Sequence, residues 1–292
     1  MSADITYFDT GMGTTYERFA LNSLLRRISA EGKISSVLEG PHDGMTGIAG
    51  LNSLIFALEG AQVTVVLESQ PAADLALEAW QAVGCDHRVG FCVSQSGRLD
   101  FPADSFDLVW NFNILPRSPD AAATIQAMVE ISRRYVLIFV PNRANYGFWL
   151  HRWQHRVAKE PWDHGDVALM DGRALEQAMT AQGLRVLDAW LVDVPWWPDI
   201  ADPGKLITDF FPVLRRVADR AKPERRYKWD VHHLPYFDEG AYPQVHARMR
   251  RLSFIERSRW MPIRRLFAHH VGVLAEKPAG WRARGDDTGA AV

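Results

Sequence analysis

The stretch Leu99–Asn142, "LDFPADSFDLVWNFNILPRSPDAAATIQAMVEISRRYVLIFVPN", decides the fold. Within it "FDLVWNFN" reads as a short strand and "DAAATIQAMVEI" as a helix. "RRYVLIFVPN" reads as a second strand, apolar throughout. A strand buried on both faces is apolar in this way, and two such strands joined through a helix form a parallel pair.

The same alternation continues on the N-terminal side. "TTYERFALNSLLRRI" is an amphipathic helix with Tyr16, Phe19, Ala20, Leu24 and Ile28 on one face. Thr14 and Glu17 stand at the spacing of a capping box. Then come the strand "KISSVLE", a glycine-bearing loop, and the helix "LNSLIFALEG" closed by Gly60. "QVTVVLE" and "HRVGFCVS" are strands, with the helix "AADLALEAWQAVG" between them. On the C-terminal side follow the helix "DGRALEQAMTAQG", the strand "LRVLDAWLVDVP" and, far later, "FAHHVGVLAEKP", which reads as an antiparallel closing strand. The expected fold class is α/β: a Rossmann-like, doubly wound sheet, mostly parallel with an antiparallel last strand, plus a helical lid insertion.

Composition sets wider limits. The 292 residues are 47% hydrophobic and 23% charged with a net charge of −2, which suits a globular protein. Neither a signal peptide nor a membrane-spanning run is visible, so a cytoplasmic location is expected. The two cysteines, Cys85 and Cys92, are too few for a disulfide framework or a cysteine zinc site. Charge is uneven: residues 1–148 carry 10 Lys and Arg against 16 Asp and Glu, while residues 149–292 carry 23 against 19. Nine of the eleven tryptophans also fall after residue 148, so the halves have different tasks.

A parallel sheet binds ligands at the carboxyl ends of its strands, which makes "GPHDGMTGIAG" (Gly40–Gly50) a ligand loop by position. Its glycines miss the G-x-G-x-x-G spacing of dinucleotide enzymes, and no Walker motif occurs. Leu99, Phe101, Ser105, Phe106, Asp107, Leu108 and Val109, followed by Ile114, Leu115, Pro119 and Asp120, are more telling. They resemble the second half of the class I S-adenosylmethionine-dependent methyltransferases, a similarity running from about Tyr16 to Asn142 and resuming near Leu184.

That resemblance implies S-adenosyl-L-methionine as cofactor and a set of residues to hold it. Glu39, closing the first strand, accepts from the methionine amino group or an ordered water, and Gly40 and Gly44 lie along the cofactor. His42 and Asp43 either point into the site or face solvent. Glu68, closing the second strand, takes the ribose hydroxyls, since two carboxylate oxygens suit a vicinal diol. Gln95 with Ser96 stands where the family often places an aspartate against adenine. Asn111 comes under the sulfonium, and Tyr16 either closes over the methionine carboxylate or is a plain core aromatic. The family's nucleobase-amine motif is absent, "NFNIL" standing in its place, which disfavours amino-group methylation of DNA or glutamine.

The chain divides into a core at 1–195, an insertion at 196–266, a last core strand at 267–279 and a disordered tail at 280–292. Trp196, Trp197, Trp229, Tyr236, Phe237 and Trp260 in the insertion suit an aromatic or apolar acceptor pocket or the packing of a thin helical layer. Residues 212–265 hold 14 basic and 6 acidic side chains, suited to an acidic acceptor, an acyl carrier protein, a peripheral membrane surface or simple solvation. With a pI near 6.6, nucleic acid is disfavoured as a partner. His164 is the first choice of general base and His232 or His233 the second. His151 and His155 share a helical face and permit a metal pair, but no third ligand is evident, so no metal is expected. The sequence reading is thus methyl transfer to a small or medium-sized acceptor. Its alternatives are a non-catalytic scaffold of the same fold and a different nucleotide-dependent enzyme.

Overall fold

The computed structural model describes residues 6–41, 47–198 and 227–282. Its main sheet has seven strands: β2 (Ser36–Glu39), β3 (Gln62–Leu67), β4 (Val89–Val93), β5 (Phe106–Phe112), β6 (Ser132–Pro141), β7 (Arg185–Val192) and β9 (His270–Glu276). They lie in the order β4-β3-β2-β5-β6-β9-β7, all neighbours parallel except β9, which runs antiparallel to both β6 and β7. Switching from β2 outward to β5 opens a crevice at the carboxyl ends of these two strands. A separate two-stranded sheet pairs β1 (Asp9–Thr10) with β8 (Lys228–Trp229).

Helices cover both faces. On one lie α1 (Gly11–Gly32), α2 (Leu54–Leu58) and α3 (Gln70–Val83), whose Leu21, Leu25, Phe56 and Trp80 pack against Val37, Trp110 and Phe139. On the other lie α4 (Ala121–Ile131) and α6 (Gly172–Ala181), whose Ile125, Met128, Leu175 and Met179 pack against Leu38, Val109 and Ile138. Burial on both faces is what the unbroken apolar run of β6 requires. Ser69, Asp120 and Asp171 cap α3, α4 and α6 through their side chains.

Two local expectations are corrected. Thr14 and Glu17 form no capping box, because α1 begins earlier, at Gly11, where Gly11 N donates to Tyr227 O at 2.7 Å. Thr14 instead bonds back to Thr10 O, inside the helix. The helix before Gly60 is a single short turn and a half, Leu54–Leu58, since the preceding residues serve the loop after β2. Of the insertion, residues 196–198 and 227–266 are described and include α7 (Pro243–Leu252) and most of α8 (Met261–Phe267); residues 199–226 and the tail beyond 282 lie outside the described residues.

Candidate active site

Glu39 and Glu68 stand at the carboxyl ends of adjacent strands, Glu39 closing β2 and Glu68 following Leu67 of β3. Glu39 is buried: its Oε2 accepts from Ser53 N at 3.0 Å, while Oε1 has no hydrogen-bond partner. Burial pushes its carboxyl up to about 7, against the opposing pull of Ser53 and the Arg18 charge. Gly40 N donates to Trp110 O at 3.0 Å, and a Cβ on Gly40 would stand 2.9 Å from Val66 Cβ. Only glycine lets the chain cross β3 this closely. Gln95 and Ser96 form an exposed turn directly after β4, Ser96 Oγ accepting from Arg98 N. Glu39, Glu68 and Gln95–Ser96 therefore follow one another across three neighbouring strand ends. Gly44, with His42 and Asp43, lies outside the described residues.

A buried ionic knot fixes the far side of the loop. Arg18, 1% exposed, donates to Asp9 through Nε at 2.9 Å and Nη2 at 3.2 Å, to Ile48 O at 2.9 Å, and to Asn52. Asp9 also accepts from Ile48 N at 2.7 Å and from the Tyr236 hydroxyl. Gly47, at φ +73°, lies against the Asp9 carboxylate where no side chain would fit. Gly50 O accepts from Trp80 Nε1 at 2.9 Å. Two charges taken out of water in this way need every one of these bonds.

A second polar cluster gathers where β5, β7 and β9 meet. His270, opening β9, packs its ring on Phe112 (centroids 4.7 Å apart) and accepts at Nε2 from Asn113 Nδ2 at 2.9 Å. Carboxylates flank it, Glu17 at 3.9 Å from Nε2 and Asp193 at 3.8 Å from Nδ1. Asp193 also accepts from His269 Nδ1 at 2.8 Å, and His269 Nε2 reaches Trp197 O at 3.1 Å. Asn113 and Asp193 both hold positive φ, 62° and 55°, as the chain turns off the strand ends. Tyr16 donates to Glu256 at 2.8 Å; burial and that carboxylate raise the phenol's pKa, and burial raises that of Glu256.

The other residues expected at the site have varied surroundings. Tyr16 is 1% exposed and its hydroxyl is engaged by Glu256, so it braces α1 against the 253–257 turn. Asn111 is wholly buried on the α4 side of the sheet, donating to Met128 Sδ at 3.3 Å; Asn113, two residues on, is the asparagine at the strand end. His232 and His233 sit on an exposed turn around Asp230, which takes His233 Nδ1 at 2.7 Å and His232 N at 3.0 Å. Trp229, Tyr236 and Phe237 are packing residues: Trp229 Nε1 bonds Thr15 Oγ1 at 2.8 Å, and Tyr236 joins Ile48 and Ala79. Trp196 and Trp260 are exposed. His164 lies in the loop after α5 (Tyr146–Ala158), where its ring nitrogen converges with those of His151 and His155.

The His269–His270 pair and Asp193 also went unselected, although a signal was present. An antiparallel closing strand beside β7 brings "VD" at the end of one against "HH" at the start of the other. The knot gave no such signal, since Asp9 and Arg18 are polar residues in short polar runs.

The sheet order, the antiparallel β9 and the helices on both faces make this a Rossmann-like, doubly wound α/β fold. No protein-family model and no curated protein matches the chain. Among solved structures it is similar to the MccD protein, with a TM-score of 0.51 and 12% identity over 88% of this chain and 96% of that one. The [4+2]-cyclase SpnF aligns over 89% and 82% with 16% identity and a TM-score of 0.49. A Thermotoga maritima S-adenosylmethionine-dependent methyltransferase, a possible histamine N-methyltransferase, aligns over 91% and 92% with 10% identity and a TM-score of 0.48. Identities this low speak for the fold alone.

Proposed function

We propose that this chain is an S-adenosylmethionine-dependent methyltransferase for a small or medium-sized acceptor. The observation that carries the reading is the pair Glu39 and Glu68 at neighbouring strand ends, with a partnerless buried oxygen on Glu39 and glycine backbone immediately after it. An ammonium group is the natural complement of that oxygen, and a ribose diol that of Glu68. Gln95 and Ser96 would border the adenine. When bound, the sulfonium supplies an activated methyl group, and the chain's task is to position donor and acceptor and to exclude water.

The exposed Trp149, Trp153, Trp196 and Trp260, interspersed with arginines, suit an aromatic, apolar or acidic acceptor, or contact with an acyl carrier protein or a peripheral membrane surface. No helix among the described residues is long and apolar enough to cross a membrane.

Calorimetric titration with S-adenosylhomocysteine tests the reading. One-to-one binding in the micromolar range is expected, weakened by about 10- to 100-fold in Glu68→Ala, the loss expected for removing a charged hydrogen-bond acceptor. Unchanged affinity in Glu68→Ala would remove the ribose assignment. Absence of binding at millimolar ligand would favour the second reading, a non-catalytic scaffold. That reading draws on Gly47 and Gly50, which are occupied by Asp9, Arg18 and Trp80 rather than open to a ligand.

A further inference from the structure

We propose that His151, His155 and His164 together bind one divalent transition-metal ion through their Nε2 atoms. His151 and His155 lie one turn apart on α5, so their rings leave the helix on the same side. The chain then reverses at Lys159 (φ 55°) and again at Gly165 (φ +99°), which brings His164 back over them. The reversal is clamped: Glu160 N donates to His155 O at 3.0 Å, Asp166 N donates to Pro116 O at 2.7 Å, and Gly165 packs so tightly on that carbonyl that no side chain would fit.

The result is a convergence of nitrogens. His155 Nε2 lies 3.2 Å from His151 Nε2 and 3.2 Å from His164 Nε2, and each of the three residues offers a ring nitrogen within 4.8 Å of the others'. Zinc–imidazole bonds of about 2.0–2.1 Å at tetrahedral angles put ligand nitrogens about 3.3 Å apart, the spacing found here. His155 Nδ1 faces Pro161 O at 3.0 Å, and since a carbonyl only accepts, the ring proton sits on Nδ1 and Nε2 presents its lone pair. A backbone carbonyl on the remote ring nitrogen is the usual means of orienting a metal-ligating histidine. A single lone pair cannot accept well from two neighbouring imidazoles at once, whereas one cation satisfies all three.

The surroundings support the ring geometry. Trp162 packs against all three imidazoles, at centroid distances of 5.7, 5.4 and 4.8 Å, and its Nε1 is held by Gly165 O at 3.0 Å. The largely exposed Asp163 carboxylate lies 3.4 Å from His164 Nε2 and adds negative charge at the rim. All three histidines are half-buried, so solvent ions reach them. Imidazole ligands suit zinc, nickel, copper, iron or cobalt, and three protein nitrogens leave at least one position for water or an oxygen- or nitrogen-bearing molecule. The loop carrying His164 rests on the turn after β5, so the ion would lie at the carboxyl end of the sheet. Glu17, Asp193 and His270 form another convergence, but there Asn113 engages His270 Nε2 and His269 engages Asp193 Oδ2.

The proposal stands apart from methyl transfer, and its test uses neither cofactor nor acceptor. Chelator-stripped full-length protein is equilibrated with Co²⁺, and bound metal is measured by elemental analysis and by the visible absorption of the ion. One Co²⁺ per chain is expected, with affinity falling about 100-fold or more in His164→Ala and in His155→Gln. In case a variant misfolds, the histidine ring nitrogens of the wild-type protein are followed by NMR during Zn²⁺ addition; the Nε2 signals of these three residues should shift together. The proposal is overturned if the wild-type chain retains no Co²⁺ at micromolar concentration, if folded variants retain it undiminished, or if Zn²⁺ moves other histidines instead.

Discussion

Replacing Glu39 with glutamine should change how stability depends on pH. The wild-type carboxyl is buried at the end of β2, and its pKa rises from 4.5 to about 7. At about 1.4 kcal/mol for each tenfold change in proton affinity, that difference amounts to about 3 kcal/mol. Its sign follows from which state holds the proton. Between pH 4.5 and 7 the folded chain keeps a proton that the unfolded chain has released, so stability falls as pH rises through this window. The contribution is fully present below the unfolded value and lost above the folded one. Glutamine keeps an acceptor for Ser53 N but places an amide where Oε1 has no partner, a cost of about 1–3 kcal/mol that does not vary with pH. The informative quantity is therefore the slope. In urea denaturation from pH 5 to pH 8, the wild-type protein should lose about 2.5 kcal/mol more than Glu39→Gln. Parallel curves for the two proteins would refute the assignment of a neutral, buried Glu39. If Glu39 meets the cofactor's ammonium, saturating S-adenosylhomocysteine should flatten the wild-type slope as well.

Other expectations follow from the knot and the core. Arg18→Met removes the cation from a fully buried pair and leaves Asp9 without its charge partner, so unfolding by urea should show a loss of about 3–5 kcal/mol. Gly47→Ala forces a side chain into the Asp9 carboxylate at a positive φ; a loss of about 2 kcal/mol or more is expected, and a neutral result would mean that the knot yields easily. Trp110→Phe deletes the 2.8 Å bond from Nε1 to Ser53 Oγ beneath Glu39, which should lower the melting temperature by the equivalent of about 1–2 kcal/mol.

The core was legible because its signals are local. Apolar runs such as "YVLIFV" and glycine-closed helices such as the one ending at Gly84 fix strand and helix without reference to distant residues. The antiparallel closing strand was legible too, although it lies about 80 residues beyond β7. What failed depended on contacts between remote segments. The start of α1 is set by Tyr227, the partner of Tyr16 is Glu256, and the third imidazole beside His151 and His155 comes from an aperiodic loop. Spacing revealed the histidine pair because both belong to one helix; nothing periodic ties His164 to them. Asn111 shows the limit of reading a strand end by count: its side chain meets α4, whereas Asn113, where the chain leaves the strand at φ 62°, meets His270.

The bond between Tyr236 and Asp9 spans 227 positions of the chain. It has a consequence for biosynthesis. A ribosome releasing this chain exposes α1, β2 and the loop after it long before Tyr236, Tyr227 and β8 emerge to tie that loop in place. Until then Arg18 and Asp9 lack the Tyr236 hydroxyl, and β9 has yet to fill its place between β6 and β7. The nascent polypeptide therefore carries an untied loop after β2 for most of its synthesis, and that loop is fixed almost together with the closing of the sheet.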